Sequence, residues 1–118
     1  MPILQVFGLP KNQTEKELYG LYNEIVFAAH EVKELGLTKT DFTVFFPADR
    51  MEYGLGEEVI CFVRGLFTKP ERTDEVRNCL AEAVGKVLRK HFPTALLVEC
   101  IVESFNPAEG FWSSLRRD

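Results

Sequence analysis

The stretch VICFVRGLFTKPERTDE, residues 59–75, decides the fold. Its first nine residues are mostly β-branched, aromatic or otherwise apolar and predict a strand, and Thr73 followed by Asp74 and Glu75 predicts the start of a helix. The same programme stands near the N-terminus. Ile3 to Leu9 is an apolar run stopped by Pro10, and Thr14 with Glu17 three residues on has the form of a capping box. The pairs Gly8-Leu9 and Gly65-Leu66 fall at similar places in the two strands.

Outward from these two starts, Leu18, Leu21, Tyr22, Ile25, Ala28, Ala29 and Val32 recur at helical spacing, with Gly36 as a stop signal. Val76, Leu80, Val84, Val87 and Leu88 do the same after Thr73. DFTVFFP, residues 41–47, predicts a strand closed by Pro47, and TALLVECIVESF, residues 94–105, predicts the last one. The expected order is β-α-β-β-α-β: two pseudo-repeated β-α-β units, about residues 1–47 and 59–105, in one domain spanning 1–118. This is an α+β class protein with a four-stranded mixed sheet, right-handed crossovers and two helices on one face. The other face is then bare. ICFV, TVFF and LLVECIV show little polar alternation, so burial on both sides is expected, through self-association into a closed ring or through a partner.

Composition narrows the function classes. With 46% hydrophobic and 27% charged residues, and no run near the ~20 apolar residues of a membrane span, no membrane partner is expected. A net charge of −4 offers no basic field for nucleic acid. The N-terminus has no basic segment leading into an apolar one, so a cytoplasmic location is expected. Cys61, Cys79 and Cys100 lack CxxC spacing and lie in apolar segments, which predicts buried thiols rather than disulfides or a metal site. The two histidines are far apart and no glycine-rich phosphate fingerprint follows a strand, so neither metal nor organic cofactor is expected.

Lys69 and Arg72 fall between a strand end and a helix start, where a carboxylate could meet a point charge, a bidentate fork and free helix N–H groups. Arg64 stands in an apolar strand facing away from Val63 and needs a partner, across an interface or in a pocket. Phe67 closes that strand and is taken as a further substrate-binding candidate.

The Met1-Pro2 start, the duplicated β-α-β units and the Gly110-Phe111-Trp112 tail together resemble the tautomerase superfamily. FFPADRMEYGLGEE, residues 45–58, is similar to the strand-to-hairpin segment of macrophage migration inhibitory factor; KPERTDE at 69–75 and AAHEV at 28–32 resemble segments of the cis-3-chloroacrylic acid dehalogenase subgroup. The resemblance implies a homotrimer in which removal of Met1 exposes the Pro2 amine as the catalytic base. It implies that His30 helps orient a substrate carboxylate and that Glu109 polarises water if the reaction is a hydration. Phe111 and Trp112 are expected to pack against pocket or interface.

A secondary amine acts as a base only when neutral, and burial together with the cations Lys69 and Arg72 would lower its pKa toward that state. The first expectation is therefore a cofactor-independent tautomerase or isomerase acting on a small enol or α-keto acid carboxylate. A hydratase or dehalogenase of unsaturated, halogenated acids is the second, and a non-catalytic trimeric interaction protein the third.

Overall fold

The computed structural model describes residues 1–52 and 55–116. Its elements are β1 (Ile3–Phe7), α1 (Glu15–His30), β2 (Thr43–Phe45), β3 (Glu58–Phe67), α2 (Asp74–His91) and β4 (Leu97–Phe105), with two single 3₁₀ turns, Lys33–Leu35 and Lys39–Asp41, between α1 and β2. The sheet is mixed, in the order β2-β1-β3-β4. β1 runs parallel to β2, β3 parallel to β4, and the two central strands are antiparallel, with Leu4 opposite Val63 and Val6 opposite Cys61.

Alternation builds the core. Leu4, Val6, Val59, Cys61 and Val63 are fully buried on the side that the helices cover, while Ile3, Gln5, Phe7 and Arg64 point to the other side. α2 meets the sheet with Val76, Leu80, Val84 and Leu88, one residue per turn, and α1 with Leu21, Ile25 and Ala29. Each fully buried leucine or valine contributes about 1.5–3 kcal/mol, so these stripes hold the helix layer in place. Both helices start where expected: Thr14 and Glu17 form a complete capping box, and the Thr73 side chain accepts from the Val76 N–H.

Three local expectations change. α1 ends at His30 rather than near Gly36, and Gly36, at φ 67°, instead closes the 3₁₀ turn Lys33–Leu35. β2 is only three residues long, because only its first register positions meet β1 and the chain leaves the sheet at Phe46. Of the three cysteines only Cys61 is buried: Cys100 is half-buried at the edge strand and Cys79 is exposed on α2. Tyr53 and Gly54 of the 45–58 segment lie outside the described residues. No helix among the described residues is long and apolar enough to cross a membrane.

Candidate active site

Topology gathers most of the sequence candidates at one end of the sheet. β1 and β2 begin there, β3 and β4 end there, α1 finishes there and α2 starts there. That end therefore holds Pro2, His30, Phe67, Lys69, Arg72 and the tail carrying Glu109.

Pro2 precedes β1 and is among the fully buried side chains, on the helix-covered side with Leu4. Its carbonyl accepts from Thr43 N–H at 3.1 Å, tying it to the start of β2. On the other flank β3 has an irregularity between Val63 and Leu66, where Gly65 adopts φ +73°. A Cβ there would lie 3.3 Å from the Met1 carbonyl oxygen, so the glycine lets β3 approach the peptide bond that joins Met1 to Pro2. Met1 itself is 62% exposed. Gly65 is a neighbour of the candidate Pro2 that sequence reasoning did not place there; the repeated Gly-Leu pair was the signal for it.

Arg72 is placed differently from a free carboxylate fork. It is only 5% exposed, its Nε and Nη2 donate to the Leu35 carbonyl at 3.2 and 2.8 Å, and its Nη1 donates to the Phe67 carbonyl at 2.7 Å. The guanidinium thus joins the chain after α1 to the end of β3, closing the wall of this end of the molecule. Lys69 is exposed in the turn that Arg72 N–H closes onto the Lys69 carbonyl, and its ammonium has no hydrogen-bond or ion-pair partner among the described residues. Lys69 is thus a cation left free at this end among the described residues. α2 also presents its N-terminus here, with Asp74 and Glu75 in the first turn offsetting the positive end of its dipole.

Phe67 belongs to an aromatic cluster. Phe111 packs edge-on against it at 5.0 Å, and Phe105 lies 6.1 Å from both rings. This contact folds the tail back over the sheet end. Glu109 is exposed in the turn just before Phe111, its N–H bonded to the Asn106 carbonyl at 3.0 Å, while Trp112 is 85% exposed. His30 is half-buried at the last turn of α1.

Arg64 does not join this group. It sits on the bare face, where its Nε pairs with Glu103 at 3.1 Å, its Nη1 donates to Gln5 at 3.3 Å and its guanidinium lies 4.6 Å from the Phe62 ring centre. A groove of about 600 Å³ runs between α1 and the Lys39–Asp41 turn, and neither it nor four further clefts among the described residues is lined by Pro2. Among the described residues no three His, Cys, Asp or Glu side chains converge as a metal-binding group.

The fold is shared with solved structures. A fused 4-OT in an asymmetric trimer superposes with a TM-score of 0.72 at 12% identity, covering 93% of this chain and 91% of that one. A member of the cis-3-chloroacrylic acid dehalogenase family gives 0.69 at 10% identity over 93% and 79%. Malonate semialdehyde decarboxylase gives 0.60 at 17% identity over 97% and 92%. No family model matches the sequence and no curated protein matches it. The chain has the tautomerase-type fold of these structures, as its sequence pattern led one to expect.

Proposed function

We propose that the protein, once Met1 is removed, is a cofactor-independent tautomerase whose general base is the Pro2 amine. One observation carries this reading: Pro2 is buried at the head of β1, held by Thr43 and approached by Gly65, while the residue to be removed projects into solvent. An amide nitrogen in the unprocessed chain, Pro2 becomes a secondary amine by one hydrolytic cut. Burial disfavours its ammonium form and so keeps it available as a base. The amine takes a proton from the hydroxyl of an enol, or from the carbon beside a keto group, and returns it at the other position.

Lys69, exposed and unpaired, is the residue for the substrate carboxylate. Arg72 supports the site through the backbone it binds, Phe67 with Phe111 supplies an apolar wall, and His30 lies at the same sheet end to orient the acid. Substrate is a small enol or α-keto carboxylate, and no cofactor is required by this chemistry. The trimers among the structural neighbours support a homotrimer, in which Arg64 and the bare sheet face lie between subunits. A cytoplasmic location fits that chemistry.

The test uses protein verified by mass to lack Met1, assayed for ketonisation of phenylpyruvate enol and of 2-hydroxymuconate. Pro2→Ala is expected to lose about 10²–10⁴ in kcat/KM. Equal activity in both proteins, or full activity with Met1 still attached, overturns the proposal and leaves a trimeric interaction protein. The position of Glu109, in the turn that Phe111 anchors to the sheet end, favours hydration as the second reading. Halide release from 3-haloacrylates, lost in Glu109→Gln, distinguishes it.

A further inference from the structure

Cys61 and Cys100 face one another across β3 and β4 in direct register. In-register neighbours on adjacent strands lie about 4.8 Å apart, within the 4.4–6.8 Å span between Cα atoms that a disulfide bridges. Both side chains point to the helix-covered side, Cys61 between Val59 and Val63, Cys100 between Val98 and Val102. Their exposure differs. Cys61 is fully buried, whereas Cys100 is half-buried and lines two grooves between α2 and β4, one beside Ala81, Gly85 and Lys86, the other beside Asn78.

Gly85 is the second observation. It stands in the interior of α2, where glycine is the least favourable residue after proline, and a Cβ there would sit 3.9 Å from the Cys100 Cβ. The helix passes over this thiol without a side chain to cover it. Interaction with the facing Cys100 thiol, with burial adding to the effect, raises the Cys61 thiol far above its usual pKa, and the same interaction lowers that of Cys100. Burial disfavours the thiolate at Cys61, and Cys100, the more exposed of the two, is the sulfur that a solute reaches first.

We infer that Cys61 and Cys100 form an oxidisable dithiol, in which a hydroperoxide reaches Cys100 through the α2–β4 groove and Cys61 then closes an inter-strand disulfide. The Cys100 thiolate attacks the peroxide O–O bond, which breaks. Hydroxide leaves and takes up a proton as water, and Cys100 becomes a sulfenic acid. The Cys61 sulfur attacks that sulfur, the S–O bond breaks, and the Cys61 proton leaves with the hydroxyl as a second water. Two thiols have lost two protons and two electrons to one peroxide. The strand spacing requires the two Cβ atoms to draw together slightly, which makes the bond reducible by a dithiol. Cys79, exposed on α2, is the internal control.

The experiment oxidises the reduced full-length chain with hydrogen peroxide, alkylates free thiols under denaturing conditions and reads intact and tryptic masses. Expected are a loss of two hydrogens, one alkylated thiol at Cys79, a peptide pair linked through Cys61 and Cys100, and reversal by dithiothreitol. Cys61→Ala is expected to leave a dimedone-reactive sulfenic acid at Cys100 and no linked pair. A link involving Cys79, sulfinic acid at Cys100 without a link, or alkylation of all three thiols overturns the inference. The wild-type masses decide it even where the variant fails to fold.

Discussion

At the level of single residues, Gly8 and Gly65 hold the same position in the two halves and carry the same kind of contact. Gly8, at φ +84°, would place a Cβ 1.9 Å from the Glu58 carbonyl oxygen at the start of β3; Gly65, at φ +73°, meets the Met1 carbonyl that precedes β1. Gly8→Ala is expected to cost about 3 kcal/mol or more, since backbone clash adds to left-handed strain. Gly65→Ala should cost about 1–2 kcal/mol, mostly strain, and less in protein lacking Met1, because the oxygen it crowds leaves with that residue. Urea unfolding of both variants, with and without Met1, measures the difference. Arg72 is the opposite kind of case. In the sequence it stands beside Lys69 and reads as half of a carboxylate clamp, because nothing in KPERTDE reveals that Leu35 will lie against it. The fold brings that carbonyl from a segment 37 positions away, and the fork closes on it. Arg72→Met should therefore destabilise by about 3 kcal/mol through two buried carbonyls left short of donors. Loss of activity with unchanged stability would instead return Arg72 to substrate binding.

Elements were legible where a local rule was sufficient to define them. Thr14 and Thr73 cap their helices as their spacing indicated, and the stripe from Val76 to Leu88 is buried because a period near 3.6 leaves a helix only one way to face a sheet. Gly36 was misleading for the same reason: a glycine signals the end of a helical turn, and here the turn is a separate 3₁₀ one. The contact between the two helices was invisible in either helix alone. Glu24 of α1 takes a hydrogen bond from Lys90, at 2.8 Å, and another from His91, both in the last turn of α2. These two donors, Lys90 first, hold the Glu24 carboxyl below its usual 4.5. A carboxyl whose folded pKa is depressed adds stability that is fully present above about pH 4.5 and is lost as the pH falls through the lower folded value. Glu24→Gln should then lower the urea midpoint slightly at neutral pH and leave it unchanged near pH 2. An equal loss at both pH values would mean that Glu24 acts by packing.

Across the whole molecule, the bare sheet face is where sequence and structure diverge most usefully. Runs such as ICFV and LLVECIV read as apolar on both sides, yet the exposed side alternates Ile3, Phe7, Phe45, Phe62 and Ile101 with Gln5, Arg64, Glu99 and Glu103. Such a surface suits association better than a purely apolar one, since it combines apolar area with a defined charge register. In the proposed trimer Arg64 is its central cation, held by Glu103 and Gln5 and stacked on Phe62. Arg64→Glu sets two carboxylates against each other there, with no counter-charge of its own, while the helix-side core from Leu4 to Leu88 is untouched. The expected result is a folded monomer by sedimentation velocity, with normal far-ultraviolet circular dichroism and partial reassembly as salt screens the repulsion. Arg64→Ala, which removes the pair without inverting it, should weaken the assembly less. A variant Arg64→Glu that sediments as the wild type would place the bare face outside the subunit contact, and the charge register would then serve only the protomer.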